Sequence, residues 1–287
     1  MALAAVCFFW GTTYLAIRMA LESFPPLVLL ASRFLISGGL IVAGARLLGH
    51  RLPRGRELWI TALSGLLPLG VANGALTFSE TLIPSSVASL YITTSPFWLV
   101  GLEALSGGER LRWKTLLAML VGFGGTALLL APDGSGMPAS NWTGFLLLQV
   151  GNLAWAGGSV LFRRRAQAGQ ARTHPMLGGG IQQLATGLTV AALLLFLPQP
   201  EVVWSARGAL ALLYLVTFGS IAGYSAYVYC LDKLPMSMVS TYTYVNPLVA
   251  VSLGWLFYRE PAGWREFAAM GVIFLGVYLV KRSQAKG

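Results

Sequence analysis

The chain has 287 residues, of which 56% are hydrophobic and only 10% charged, with a formal net charge of +10. A soluble domain carries about 25% charged residues, so this chain cannot coat itself for water and its outer surface must meet something else. The two cysteines lie within apolar runs and the two histidines in loops far apart in sequence, which excludes a disulfide framework and supplies no metal-ligand spacing or cofactor motif.

A spanning helix needs about 20 mostly apolar residues. Backbone groups inside lipid must pair with one another, so such runs are helical. In chain order the runs fall at Leu3–Leu21, Pro26–Leu48, Leu58–Phe78, Pro84–Leu105, Trp113–Ala131, Trp142–Phe162, Met176–Leu197, Gly208–Leu231, Pro235–Phe257 and Trp264–Val280. Turn-forming residues separate most of them, as at Phe24-Pro25-Pro26, Pro53-Arg54-Gly55, Ser106-Gly107-Gly108-Glu109, Pro132-Asp133-Gly134 and Pro198-Gln199-Pro200. Ile83-Pro84 and Leu234-Pro235 interrupt near-continuous apolar sequence. The first run continues past Gly11 without a small-residue cleavage pattern, so no cleavable signal peptide is expected. The fold class predicted is an all-α polytopic membrane protein of ten transmembrane helices.

Lysine and arginine set the expected orientation. Arg46, Arg51, Arg54 and Arg56 follow span two, Arg110, Arg112 and Lys114 follow span four, and Arg163, Arg164, Arg165 and Arg172 follow span six. Lys233 follows span eight; Lys281, Arg282 and Lys286 follow span ten. These fifteen share one side with both termini, whereas the other side has Arg18, Arg207, Arg259 and Arg265. Both termini are therefore expected in the cytoplasm. The basic balance reads as topology, helped by anionic membrane lipid, and not as a nucleic-acid surface.

The sequence also repeats itself. An offset of 151 positions pairs Pro84 with Pro235, Ser86 with Ser237, Ser89 with Ser240, Tyr91 with Tyr242 and Pro96 with Pro247. The same offset carries Glu109 onto Glu260, Trp113 onto Trp264 and Gly125 onto Gly276. Spans four and five thus recur as nine and ten. With five spans per half, the second half (140–287) enters the membrane from the face opposite the first (1–135). An inverted repeat of this kind is used by many transporters for alternating access around a midplane site.

These residues resemble a known family. Trp10-Gly11-Thr12-Thr13-Tyr14, Pro25-Pro26 and Arg33-Phe34 are similar to the opening spans of EamA-type members of the drug/metabolite transporter superfamily. Ala75–Leu129, with Pro96, Glu109 and a glycine-rich span five, resembles one copy of the family pattern. Tyr227–Val280, with Asn246-Pro247, Gly254-Trp255 and Glu260, resembles the second. The resemblance implies an exporter of amino acids or other small metabolites in the bacterial inner membrane, with a small-molecule substrate as its partner.

Polar groups inside lipid are costly and therefore functional candidates. Arg33 lies inside span two, where it either pairs with Glu80 or Glu22 or meets a substrate carboxylate. Glu103 near the end of span four is expected to reach water or Arg110. Pro96 and Pro247 each remove a backbone donor in mid-span, making them hinge or gate candidates. Trp10, Tyr14, Tyr91, Trp98, Trp155, Tyr224 and Tyr242 supply rings at interior depth, and Asn73, Thr94, Gln149, Asn152 and Asn246 supply hydrogen-bonding groups; together they form the predicted substrate site. Gln149, Asn152 and Trp155, three apart, share a helix face. Glycines in spans five and ten suit close packing or a homodimer surface.

Three function classes compete. A secondary exporter of amino acids, apolar or aromatic ones included, needs inverted halves and few intramembrane charges. A proton-coupled exporter of organic cations wants an embedded carboxylate, whereas the clearest midmembrane charge is Arg33. An enzyme or receptor is disfavoured, because the spans hold no convergent His, Asp, Glu or Cys set and no phosphate-binding loop occurs.

Overall fold

The computed structural model describes residues 1–106, 113–130, 139–167, 173–234, 239, 242–260 and 263–285. Glu109, Arg110, Arg172, Pro235, Ser237, Ser240 and the turn at 132–134 lie outside them. Every regular element among the described residues is helical. Among the described residues, six helical segments are long and apolar enough to cross a membrane, alongside shorter apolar helices.

Span one is α1 (Ala2–Leu21) and span two is α2 (Pro26–Leu47), which Pro26 opens at the position where its missing N–H is harmless. Span three is not a single α-helix. It runs as α3 (Arg56–Ser64), a π-helical segment (Leu66–Ala72) and α4 (Asn73–Ser79). Span four breaks into α5 (Ser85–Ile92) and α6 (Ser95–Leu105). Then follow α7 (Trp113–Leu130), α8 (Ala139–Gln167) and α9 (Pro175–Leu194). Span eight again has a π-helical middle, Leu215–Gly223, between α10 (Ala206–Tyr214) and α11 (Tyr224–Lys233). The chain closes with α12 (Tyr242–Tyr258) and α13 (Trp264–Ala285).

The predicted mid-span prolines behave differently. Pro96 sits in the first turn of α6, so the break it favours is realised at Thr93-Thr94. Pro247 lies inside α12, which continues through it among the described residues.

The π segments extend the repeat. Shifted by the same 151 positions, Leu66–Ala72 falls on the last seven residues of the second segment, and Asn73, which follows it, falls on Tyr224. Helix pairing follows the same logic. Helix α2 lies along α9 and α7 along α13, while α1 packs on α12 much as α8 packs on the two halves of span four. In lipid this association rests on van der Waals fit and not on escape from water. The α2–α9 seam shows the fit. A Cβ added at Gly38 would stand 2.3 Å from the backbone nitrogen of Leu184, so only glycine admits the approach.

Glu103, partly exposed to water as expected, pairs with Arg163 of α8 at 2.9 Å, and its other expected partner, Arg110, lies outside the described residues. Glu22 is held by Arg207 at 3.5 Å and by the Tyr258 hydroxyl, so it is not the partner of Arg33.

Candidate functional site

A cavity with about 770 Å3 of empty space, open solvent included, lies where α1, α2, the two π-interrupted spans, α8 and α12 meet. The π segments help create it. A π turn spares backbone carbonyls from regular pairing, and side chains take them up. Asn73 Nδ2 donates to the Pro68 carbonyl at 2.9 Å, and Trp10 Nε1 donates to the Gly219 carbonyl at 3.2 Å. Pro68 and Gly219 are 151 positions apart, so both halves open their helix at the same place.

Eight of the twelve predicted substrate residues line the cavity: Trp10, Tyr14, Asn73, Asn152, Trp155, Tyr224, Tyr242 and Asn246. Trp10 anchors the aromatic wall. Its ring stands 5.4 Å from Trp155 at 82° and 5.2 Å from Tyr242 at 90°, both edge-to-face arrangements. Tyr227 packs behind, 4.9 Å from Trp10 and 5.3 Å from Trp155. Asn246, with its amide turned to donate, reaches the carbonyls of Cys7 at 2.9 Å and Tyr242 at 3.1 Å.

The remaining four stand outside that lining. Gln149 Oε1 accepts from Trp98 Nε1 at 2.8 Å and from Thr94 Oγ1 at 3.1 Å. Tyr91 is fully buried, its ring against Phe145. Asn152 links this group to the cavity, its Nδ2 donating to the Tyr91 carbonyl at 3.2 Å and to Thr94 Oγ1 at 3.0 Å. The break in span four leaves carbonyls without α-helical donors, and these polar groups take their place. Pro96 lines a smaller neighbouring hollow with Ser159 and Tyr227.

Among the described residues, Arg33 is the one charged side chain on the cavity wall. It is 5% exposed, and its Nε donates to Ser220 Oγ at 2.7 Å. No described residue accepts from its two terminal nitrogens. Gly219 gives the guanidinium room, since a Cβ there would lie 3.0 Å from Nη2. Ser95, just before Pro96, lines the cavity as its place beside the mid-span proline suggests, whereas sequence reasoning missed Thr13 and Ser220 as lining groups. Small hydroxyls are frequent in packed membrane helices, so only their register beside the π segment distinguishes them.

Fold and site together define a multi-pass membrane protein with a cavity lined from both halves of the chain. The chain belongs to the EamA-like transporter family, which matches residues 1–131 and again 142–282. The inner membrane transporter YedA of Escherichia coli (strain K12), itself uncharacterised, is 35% identical over 97% of this chain and 89% of its own length. Protein PecM of Dickeya dadantii is 26% identical over 95% of this chain and 88% of its own. A probable terminal-alkyne amino-acid exporter of Streptantibioticus cattleyicolor is 30% identical over a shorter stretch, 44% of this chain and 42% of that one. A solved crystal structure shares the fold with a TM-score of 0.72 and 22% identity, covering 99% of this chain and 96% of that one. The protein is thus a membrane transporter, not an enzyme.

Proposed function

We propose that the protein is a secondary exporter of small carboxylate-bearing metabolites, foremost amino acids with apolar or aromatic side chains, working by alternating access of two inverted halves. The observation that carries this reading is Arg33: a buried guanidinium at the cavity wall whose terminal nitrogens have no acceptor among the described residues. A planar guanidinium matches a carboxylate in bidentate fashion. In the same cavity, Trp10, Trp155 and Tyr242 offer apolar faces to a side chain, and the amides of Asn73 and Asn152 line the same space, where they can meet an amine or a backbone group. The amino-acid exporter among the relatives supports the substrate class, and the repeated π segments support two interchangeable halves.

An exporter of organic cations would need a carboxylate in the cavity, and the described lining residues include none. Counterflow of labelled L-phenylalanine, L-glutamate and tetraphenylphosphonium in proteoliposomes tests the proposal. Saturable exchange of L-phenylalanine, weakened at least tenfold by Arg33→Gln, is expected. Movement of the cation without any amino acid would overturn it.

A further inference from the structure

One buried acid takes no part in the site just described. Glu80 caps the C-terminal end of α4, one residue past its last position, and is fully buried, yet neither carboxylate oxygen receives a hydrogen bond from a described residue. Its position relates it to the cavity. Asn73, Leu76 and Glu80 follow a helical spacing of three and four, so they share one face of α4, and the first two line the cavity. On α1 the same arrangement recurs, with Tyr14 on the cavity wall and Arg18 a turn further out. Arg18 Nη1 spends its hydrogen bond on the Glu80 backbone carbonyl at 2.5 Å, leaving the carboxyl group unpaired. Glu80 is therefore a carboxyl one helical turn beyond the substrate space, shielded from water.

Among the described residues, the charged and titratable groups whose fields reach it are Tyr14 and Arg18 of α1, Arg33 of α2 and Glu260 from the segment after α12. Glu260 is already satisfied: its carboxylate accepts from the N–H groups of Ser85 and Ser86 and from the Ser85 hydroxyl, each at 2.9 Å. It contributes a second negative charge and no donor. A buried carboxylate without donors, beside a like charge, is expensive to ionise. Burial first, and Glu260 second, hold the Glu80 carboxyl well above the ordinary carboxylate range, against the pull of Arg18 and Arg33. Of the two opposing cations, Arg33 is the one whose field changes when the cavity fills.

We infer that Glu80 is a proton-binding site linked to cavity occupancy: it gains a proton from water when an anionic group neutralises Arg33 and releases it when Arg33 is free again. The linkage, though not the buried acid itself, rests on the reading of the cavity as a carboxylate site. Because binding linkage is reciprocal, protonation of Glu80 strengthens carboxylate binding by the factor that carboxylate binding strengthens protonation.

The full chain, purified in detergent, is titrated calorimetrically with L-phenylalanine at a series of pH values from 5 to 8, each in two buffers of different ionisation enthalpy. Net uptake of up to about one proton per ligand is expected for the wild type, with affinity falling by as much as about tenfold per pH unit on the alkaline side; Glu80→Gln binds L-phenylalanine with no proton uptake. Binding without proton uptake by the wild type overturns the linkage, and that measurement decides alone should Glu80→Gln fail to fold. If L-phenylalanine does not bind, the substrate reading fails, and thermal unfolding from pH 4 to 8 judges Glu80 separately. Native Glu80 holds its proton more tightly than the unfolded chain does. Stability is therefore full below the ordinary carboxylate range and declines as pH rises through the native value. A decline that Glu80→Gln removes supports the protonation site, and identical pH profiles for the two proteins overturn it.

Discussion

Gly276 of α13 rests on Gly122 of α7: a Cβ added at Gly276 would stand 2.4 Å from the Gly122 Cα. Three residues along, Gly125 meets Ile273, where the added Cβ would stand 2.8 Å from the Ile273 backbone nitrogen. The two contacts exchange under the 151-residue offset, Gly122 taking the place of Ile273 and Gly125 that of Gly276. Spans five and ten thus cross at a point of local two-fold symmetry built from absent side chains.

Filling that crossing forces the helices apart. Gly276→Leu is expected to lower stability by about 1–3 kcal/mol, the usual range for overpacking, whereas Gly124→Ala and Gly271→Ala, where an added Cβ meets nothing within 4 Å, change little. Thermal unfolding of the purified variants separates the two cases.

Arg33→Lys is not a conservative change at this position. Lysine keeps the charge but loses the planar fork and the Nε bond to Ser220. Half-saturation for a carboxylate substrate is expected to rise about tenfold, close to the 1.5–3 kcal/mol carried by a charge-assisted bond. Equal transport by wild type and Arg33→Lys would show that shape at the guanidinium does not matter.

Glu260 caps the start of α5 from the far half of the chain, accepting from two of its free N–H groups. Glu260→Ala removes both acceptors and a charge placed favourably for the helix dipole, with an expected loss of about 1–2 kcal/mol. Glu260→Gln, which keeps one acceptor oxygen, recovers part of it in the same unfolding assay.

The ion pair between Glu103 and Arg163 makes a contrast. Both side chains are over a third exposed, 35% and 41%, and such pairs contribute roughly 0–1 kcal/mol. Glu103→Gln is expected to leave stability and transport within about twofold of wild type, while high salt does the same to the unmodified protein.

Hydropathy made the spans legible, because lipid demands about 20 apolar residues each time the chain crosses. Arg33 stood out for the opposite reason, as a charge inside such a run. Facing was harder to read. Gln149, Asn152 and Trp155 share a helix face by spacing, yet Gln149 turns to Trp98 and Thr94 while its two neighbours line the cavity. The break at Thr93-Thr94 draws Gln149 away, and nothing in local composition places the bond partners that fill it. Glu80 read as a helix-end partner for Arg33, since burial and the lack of a donor exist only once α1, α2 and α4 have met.

The π turns also bear on how relatives of this chain are compared. A π turn carries a residue more than an α turn, and each residue advances an α-helix by about 100°. A helical wheel drawn unbroken from Arg56 or Ala206 is therefore out of phase by at least that angle when it arrives at Asn73 or Tyr224, both of which line the cavity. Losing a single residue within either widened turn would close it to an ordinary α turn and keep the far half facing the substrate, whereas losing one elsewhere in the same span would turn that half by about 100° with hydropathy untouched, so in this architecture the place of a deletion within spans three and eight bears on specificity.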